Sequence, residues 1–357
     1  MSLDPVTADS PAFPLPPLAA PGSAALRTVL QHAIDTKTKP PGSLGLLEQT
    51  ALQIGLVLGQ TAPEINAPAL LVFAADHGVA DEGVSAFPQS VTWQMVENYL
   101  AGGAAVNVFA RHHGCKVLVV DAGVKHDFAA REGLLTHKIA HGTRNFCLQP
   151  AMTAQECERA LACGFALAQQ QSGNLLLLGE MGIANTSAAA LLMHKITGLP
   201  LAQCVGAGAG LDADGVSHKL AVLQRAASLH AAAQSPLHIL QCMGGFEIAM
   251  LCGAMLGAAH AGKLILIDGF IVTSALLVAQ ALAPALLDYC IFAHCSDEAG
   301  HAAMLAYLDV RPLLRLGLRL GEGSAAALAL PLVHAAADFL REMASFDSAG
   351  VSARLEA

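Results

Sequence analysis

The feature that most constrains the fold is a unit that recurs along the chain. A short, wholly apolar run leads into an acidic residue, a histidine or a glycine, and then into a helix-like stretch rich in Ala and Leu. Leu70 to Ala74 leads into Asp76-His77-Gly78, Val117 to Val120 into Asp121-Ala122-Gly123, and Leu175 to Leu178 into Gly179-Glu180-Met181-Gly182. Leu264 to Ile267 leads into Asp268-Gly269, and Ile291-Phe292-Ala293 into His294. Apolar strands without polar alternation are buried on both faces, and only a parallel sheet covered by helices on both sides does that. The pattern therefore predicts an α/β fold, a Rossmann-like doubly wound parallel sheet. Ligands of such sheets lie beyond the carboxyl ends of the strands, so Asp76, Asp121, Glu180, Asp268 and His294 are expected along one edge.

Residues 1–68 lack this strand rhythm and read as helix behind a Pro- and Ala-rich opening, Pro11 to Pro21, expected to form a surface arm. Residues 312–357 read as helix after one short strand. The expected division is a small lobe built from 1–68 and 312–357 around a Rossmann-like core of 69–311.

Of the 357 residues, 54% are hydrophobic and 13% charged, which raises the question of a membrane span. The best candidate, Gly269 to Leu287, follows a strand-like run and contains Thr273, Ser274, Gln280 and Pro284, so a buried strand and helix explain it better. The N-terminus has neither an early basic region nor a long apolar core, and a cytoplasmic location is the expectation. Nine cysteines without a Cys-x-x-Cys pair give neither a disulfide framework nor a zinc signature. A formal charge of −9 argues against nucleic acid as partner, although a small phosphate-bearing substrate needs only local donors.

Two glycine-rich segments offer such donors. In Gly179-Glu180-Met181-Gly182-Ile183-Ala184-Asn185-Thr186-Ser187 the glycines allow close approach to backbone N–H groups. Asn185, Thr186 or Ser187 is expected to cap the helix that follows. Gly206-Ala207-Gly208-Ala209-Gly210 precedes Asp212, and Lys219 can add a positive charge. Read alone, each loop is equally a tight turn, and Lys219 an ordinary solvated lysine. Neither segment supplies the Gly-x-Gly-x-x-Gly spacing that a nicotinamide-dependent oxidoreductase requires.

The sharpest feature is Leu320-Gly321-Glu322-Gly323-Ser324 before the apolar stretch Ala325 to Val333. A carboxylate between glycines and bracketed by apolar sequence suits a ligand close to the backbone. Desolvation there raises its pKa toward neutrality, as a general base requires; the alternative is a helix cap. A non-catalytic nucleotide binder would have no need of that carboxylate. Asp76-His77-Gly78 lacks a helical His-x-x-x-His partner and reads as hydrogen bonding rather than metal binding. The stretch Glu82 to Met95, with Ser85, Phe87, Pro88, Gln89 and Met95, can wall a flat aromatic base or form a surface turn.

Together these segments resemble the nicotinate-nucleotide:dimethylbenzimidazole phosphoribosyltransferase family of cobalamin nucleotide-loop assembly. The resemblance runs from Lys39-Pro40-Pro41-Gly42-Ser43-Leu44-Gly45 through Ala74-Ala75-Asp76-His77-Gly78, Gly142-Thr143-Arg144-Asn145, Gly179-Glu180-Met181-Gly182, Gly244-Gly245-Phe246-Glu247 and Asp268-Gly269-Phe270 to Arg319-Leu320-Gly321-Glu322-Gly323. It implies a homodimer with no required metal or other cofactor, acting on nicotinate mononucleotide and a benzimidazole-type base. It also implies Glu322 as general base, with Glu180 and Lys219 as acidic and basic groups near the phosphoribosyl moiety. Gly179, Gly182, Asn185, Thr186, Gly206, Gly208 and Gly321 would cradle the nucleotide, and Ser85, Phe87, Pro88, Gln89 and Met95 would meet the base. The chain departs from the family pattern at Ser187, at Ala325, and in Gly206-Ala207-Gly208, where an arginine is common after the first glycine.

Overall fold

In the computed structural model, which describes residues 16–352, six strands form one all-parallel sheet: β1 (Ala69–Ala75), β2 (Lys116–Gly123), β3 (Leu134–Thr136), β4 (Leu175–Met181), β5 (Leu264–Ile267) and β6 (Cys290–Phe292). Their spatial order is β3-β2-β1-β4-β5-β6, the doubly wound dinucleotide-fold order. The strands are apolar because both faces are covered: every residue of β1, β4 and β5 is buried. Leu71 pairs laterally with Leu118 on one side and Leu178 on the other.

The chain winds outward through β1, β2 and β3, then returns past β1 to start β4. The strand order reverses between β1 and β4, and the crevice at their carboxyl ends is where such a sheet holds its ligand. Asp76 follows β1 and Asp268 follows β5, as the sequence predicts. Glu180 differs: β4 runs on to Met181 because Phe73 and Ala74 of β1 pair with Glu180 and Met181. Gly179 and Glu180 are therefore strand residues, and the turn begins at Gly182. β3 has no counterpart among the apolar runs; it is three residues long and only its first residue is buried.

The segment weighed against a bilayer forms the helix Phe270–Leu282, packed inside the protein. No helix among the described residues is long and apolar enough to cross a membrane. The two ends of the chain meet: Thr38 N donates to Ala344 O at 3.0 Å, Phe346 N donates to Thr36 O at 3.0 Å, and the Lys37 ammonium donates to Met343 O at 2.6 Å. Helix Leu46–Leu58 lies on helix Ser324–Glu342. After Pro312 the chain does not enter a helix directly. Leu313 and Leu314 first hydrogen-bond alongside Phe292 and Ala293, and the helix starts only at Ser324. Of the Pro-rich opening, residues 11–15 lie outside the described residues.

Candidate active site

Three consecutive residues, Gly321 (φ 79°), Glu322 (φ 65°) and Gly323 (φ 81°), take the left-handed conformation that costs a side-chain-bearing residue about 1–3 kcal/mol. The surrounding groups hold this turn. Glu322 N donates to Glu180 Oε1 at 3.3 Å, Gly323 N to Asp268 Oδ2 at 3.1 Å and Ala326 N to Asp268 Oδ1 at 2.8 Å. Asp268, at the tip of β5, thus sits on the amino end of the helix Ser324–Glu342, where free N–H groups and the helix dipole favour an anion. Gly323 is the residue that caps this helix, so Glu322 is not spent as a cap.

Gly179 is required for this approach. A Cβ there would stand 2.5 Å from Glu322 O and 2.6 Å from its carbonyl carbon, so any side chain would push the turn off β4.

The turn places Glu322 in the wall of a cavity of about 650 Å³ at the β1/β4 switch point. Only 8% of the residue is exposed. Burial first, and the nearby Asp268 carboxylate second, push its pKa up to about 7, while the Tyr99 hydroxyl pulls it down. Tyr99 is itself buried, and its hydroxyl makes no hydrogen bond of normal geometry among the described residues. Glu180 is pushed to about 8, chiefly by desolvation, against the 2.5 Å hydrogen bond it accepts from Asn185 Nδ2. Desolvation likewise raises Asp268 to about 6 despite its backbone donors.

Thr186, Gly208, Ala209 and Glu298 also line the cavity. Lys219 does not line the cavity but backs it: its ammonium donates to Thr186 Oγ1 at 2.8 Å and to Gly206 O at 3.3 Å. It is 1% exposed, not a solvated helix lysine, and desolvation lowers its pKa to about 8 while Glu298 opposes the shift. Gly208 N donates to Glu298 Oε1 at 3.1 Å. The second glycine cluster joins the helices Leu201–Cys204 and Ala213–Leu229, with Asp212 as cap, and does not follow a strand.

Several expectations need correction. None of Asn185, Thr186 and Ser187 caps the helix Asn185–Thr197: Ala184 occupies that place with φ 76°. Asn185 is committed to Glu180 and Thr186 to Lys219, while the buried Ser187 hydroxyl has no partner among the described residues. Gly179 and Gly206 stand behind the cavity lining, whereas Gly182, Asn185, Thr186, Gly208 and Gly321 belong to it. Of the aromatic-wall candidates, Phe87 and Met95 line the cavity, but Ser85, Pro88 and Gln89 do not. Ser85 Oγ accepts from Phe87 N. Gln89 is used up by donating to His77 O at 2.8 Å and accepting from Lys125 Nζ at 2.9 Å.

Sequence reasoning did not single out Val91, Ser296, Glu298, Arg319 or Leu320 as site residues, and all five line the cavity. Val91 was detectable, since it stands four residues before Met95 on one face of the helix Val91–Leu100. His77 forms a fully buried pair with Glu247, Nε2 to Oε1 2.6 Å, beneath the Gly182 turn. No cluster of His, Cys, Asp and Glu able to hold a metal ion occurs among the described residues.

Known proteins resemble this chain over nearly its whole length. A family model described as phosphoribosyltransferase matches residues 19–351. The nicotinate-nucleotide–dimethylbenzimidazole phosphoribosyltransferase of Janthinobacterium sp. (strain Marseille) is 59% identical over 92% of this chain and 96% of its own. That of Cupriavidus necator is 57% identical over 94% and 98%. Among solved structures, CobT from Thermus thermophilus superimposes with a TM-score of 0.89 at 43% identity, covering 92% of this chain and 99% of that one. The parallel sheet, the carboxylates at its switch point and these near full-length likenesses agree, and the chain belongs to the nicotinate-nucleotide–dimethylbenzimidazole phosphoribosyltransferase family.

Proposed function

We propose that this enzyme moves the 5-phosphoribosyl group of nicotinate mononucleotide to 5,6-dimethylbenzimidazole or a related base, in cobalamin assembly, with Glu322 as general base. The observation that carries the reading is Glu322 itself, set in the cavity wall by a strained turn, with its carboxyl pKa raised to about 7 by desolvation.

The chemistry follows from the substrates. A nicotinate joined to ribose through its ring nitrogen is a pyridinium, so the departing group takes the glycosidic electron pair, becomes uncharged at nitrogen and needs no proton. The acceptor is the partner that needs help. Glu322 takes the N–H proton of the benzimidazole while its other nitrogen attacks C1′, and the C1′–pyridinium bond breaks. The product is α-ribazole 5′-phosphate, because attack opposite the leaving group inverts the β configuration. Holding the two partners in line supplies much of the remaining acceleration.

Glu180 and Asp268 serve as the mount of the catalytic turn, and of the two Asp268, with its pKa of about 6, is the one that stays anionic near neutral pH. Thr186 and Lys219, beside the Gly208 turn, bind the 5′-phosphate, with Gly182 and Gly321 close to the sugar. Phe87, Val91 and Met95 enclose the flat base. No metal is needed, since the leaving group already carries its charge. Support for a cytoplasmic site of action comes from the cysteines, all nine of which are free. A homodimer, with the small lobe formed by 1–68 and 312–357, completes the proposal.

The purified protein, given nicotinate mononucleotide and 5,6-dimethylbenzimidazole, is expected to release nicotinate and form the α-linked nucleotide in equal amounts, read by chromatography. Folded protein that forms neither product would refute the reading. Gly179→Ala is expected to leave a folded protein destabilised by about 1–3 kcal/mol. Its kcat should fall by about 100-fold, because its methyl group displaces the Glu322 turn. Thermal melts and steady-state kinetics separate the two effects; unchanged kcat would mean that the position of the turn is unimportant.

A further inference from the structure

We propose that His294 is a substrate-positioning residue whose Nε2 meets a ribose hydroxyl of the bound nucleotide through the gap left by the missing side chain of Gly269. The proposal rests on the reading that nicotinate mononucleotide occupies the switch-point cavity.

His294 lies two residues past β6, on the carboxyl edge of the sheet, and only 2% of it is exposed. Neither ring nitrogen has a hydrogen-bond partner among the described residues. A buried polar atom left unpaired is costly, so a native fold does not carry two on one ring without a use for them. The neighbouring His301, 6.0 Å away between ring centroids, is the contrast. Its Nδ1 accepts from Ser296 N at 2.7 Å, which places its proton on Nε2, 3.0 Å from Thr273 Oγ1.

The unpaired ring borders the cavity. A Cβ built on Gly269 would stand 3.1 Å from His294 Nε2 and 3.9 Å from Ser296 Cβ, and both Gly269 and Ser296 line the cavity. Gly269 has φ −128°, an ordinary value, so what its lack of a side chain provides is space. Gly269 directly follows Asp268, which holds the Glu322 turn, and Ser296 stands two residues before Glu298, which accepts from Gly208 N, so the gap adjoins segments tied to both the proposed base site and the proposed phosphate site. Burial holds the imidazole neutral, with its pKa lowered to about 4. One nitrogen is then a donor and the other an acceptor, and a hydroxyl can satisfy either.

The test uses the full-length enzyme labelled with ¹⁵N-histidine. Adding nicotinate mononucleotide should shift the ring-nitrogen resonance of a buried neutral imidazole, and Gly269→Ala, which keeps His294 but fills the gap, should abolish that shift. In kinetics, Gly269→Ala and His294→Phe should each raise KM for the nucleotide about ten-fold with kcat little changed, the loss of one hydrogen bond. The double variant should be no worse than either single one, because both remove the same contact. Bound nucleotide that leaves the imidazole resonance unmoved would overturn the proposal while sparing the assignment of the cavity, and additive losses in the double variant would also overturn it. Wild-type protein that fails to bind the nucleotide at all would overturn both.

Discussion

Glu322→Gln is expected to lower kcat by about 10²- to 10⁴-fold while leaving the affinity for nicotinate mononucleotide nearly unchanged, the share that a positioned general base contributes. Glutamine keeps the size of the side chain and the same left-handed backbone, whose N–H still reaches Glu180. What it loses is the ability to accept a proton. Desolvation matters here because a carboxylate at its ordinary pKa would be a weak base, whereas one near 7 is ionised in useful proportion and still draws the proton strongly. Isothermal titration with the nucleotide and single-turnover kinetics with the acceptor read the two quantities separately. Equal loss of binding and turnover would make Glu322 a structural residue.

Lys219→Met is expected to raise KM for the nucleotide by about 10- to 100-fold, the worth of a charge-assisted hydrogen bond to phosphate. The unfolding free energy should change by no more than about 1 kcal/mol. The two effects diverge because the buried ammonium carries a desolvation cost in the free enzyme, visible in its lowered pKa, and an uncharged side chain of similar length escapes it. A lysine present only to tie Thr186 to Gly206 would give the opposite pattern, a less stable protein with unaltered KM. The lowered pKa has a further consequence. Above about pH 8 the free enzyme loses the ammonium proton, so nucleotide binding should weaken there, and KM measured from about pH 7 to about pH 9 checks it.

Much of the fold was legible in the sequence because buried parallel strands advertise themselves as unbroken apolar runs. All five such runs are strands, and the polar residues that follow Leu70–Ala74 and Leu264–Ile267 stand at the carboxyl edge. β3 escaped notice because a three-residue edge strand needs no apolar run. The end of β4 was misplaced for a different reason. Glycine and glutamate ordinarily stop a strand, and only lateral pairing with Phe73 and Ala74 carries it on to Met181.

Within the site, the unusual setting of Glu322 was visible locally, since a carboxylate between two glycines before an apolar helix is out of place on a wet surface. The role of Asp268 was not, because its partners Gly323 and Ala326 lie 55 and 58 residues away along the chain. The capping expectation failed at Asn185 because capping propensity is a local average. Here a buried carboxylate 2.5 Å from that amide outcompetes the helix end. Ser85, Pro88 and Gln89 share a turn with Phe87, but composition alone says nothing of which side of a turn faces a cavity.

The most direct measurement is the pH dependence of kcat with both substrates saturating, taken side by side for the wild type and Glu322→Gln. A base of pKa about 7 is ionised above that value and silenced below it, so wild-type turnover should fall roughly ten-fold per pH unit on the acid side of 7. The residual activity of the variant should lack that limb, although its acceptor titrates identically. The same acid limb in both proteins would contradict proton transfer to Glu322.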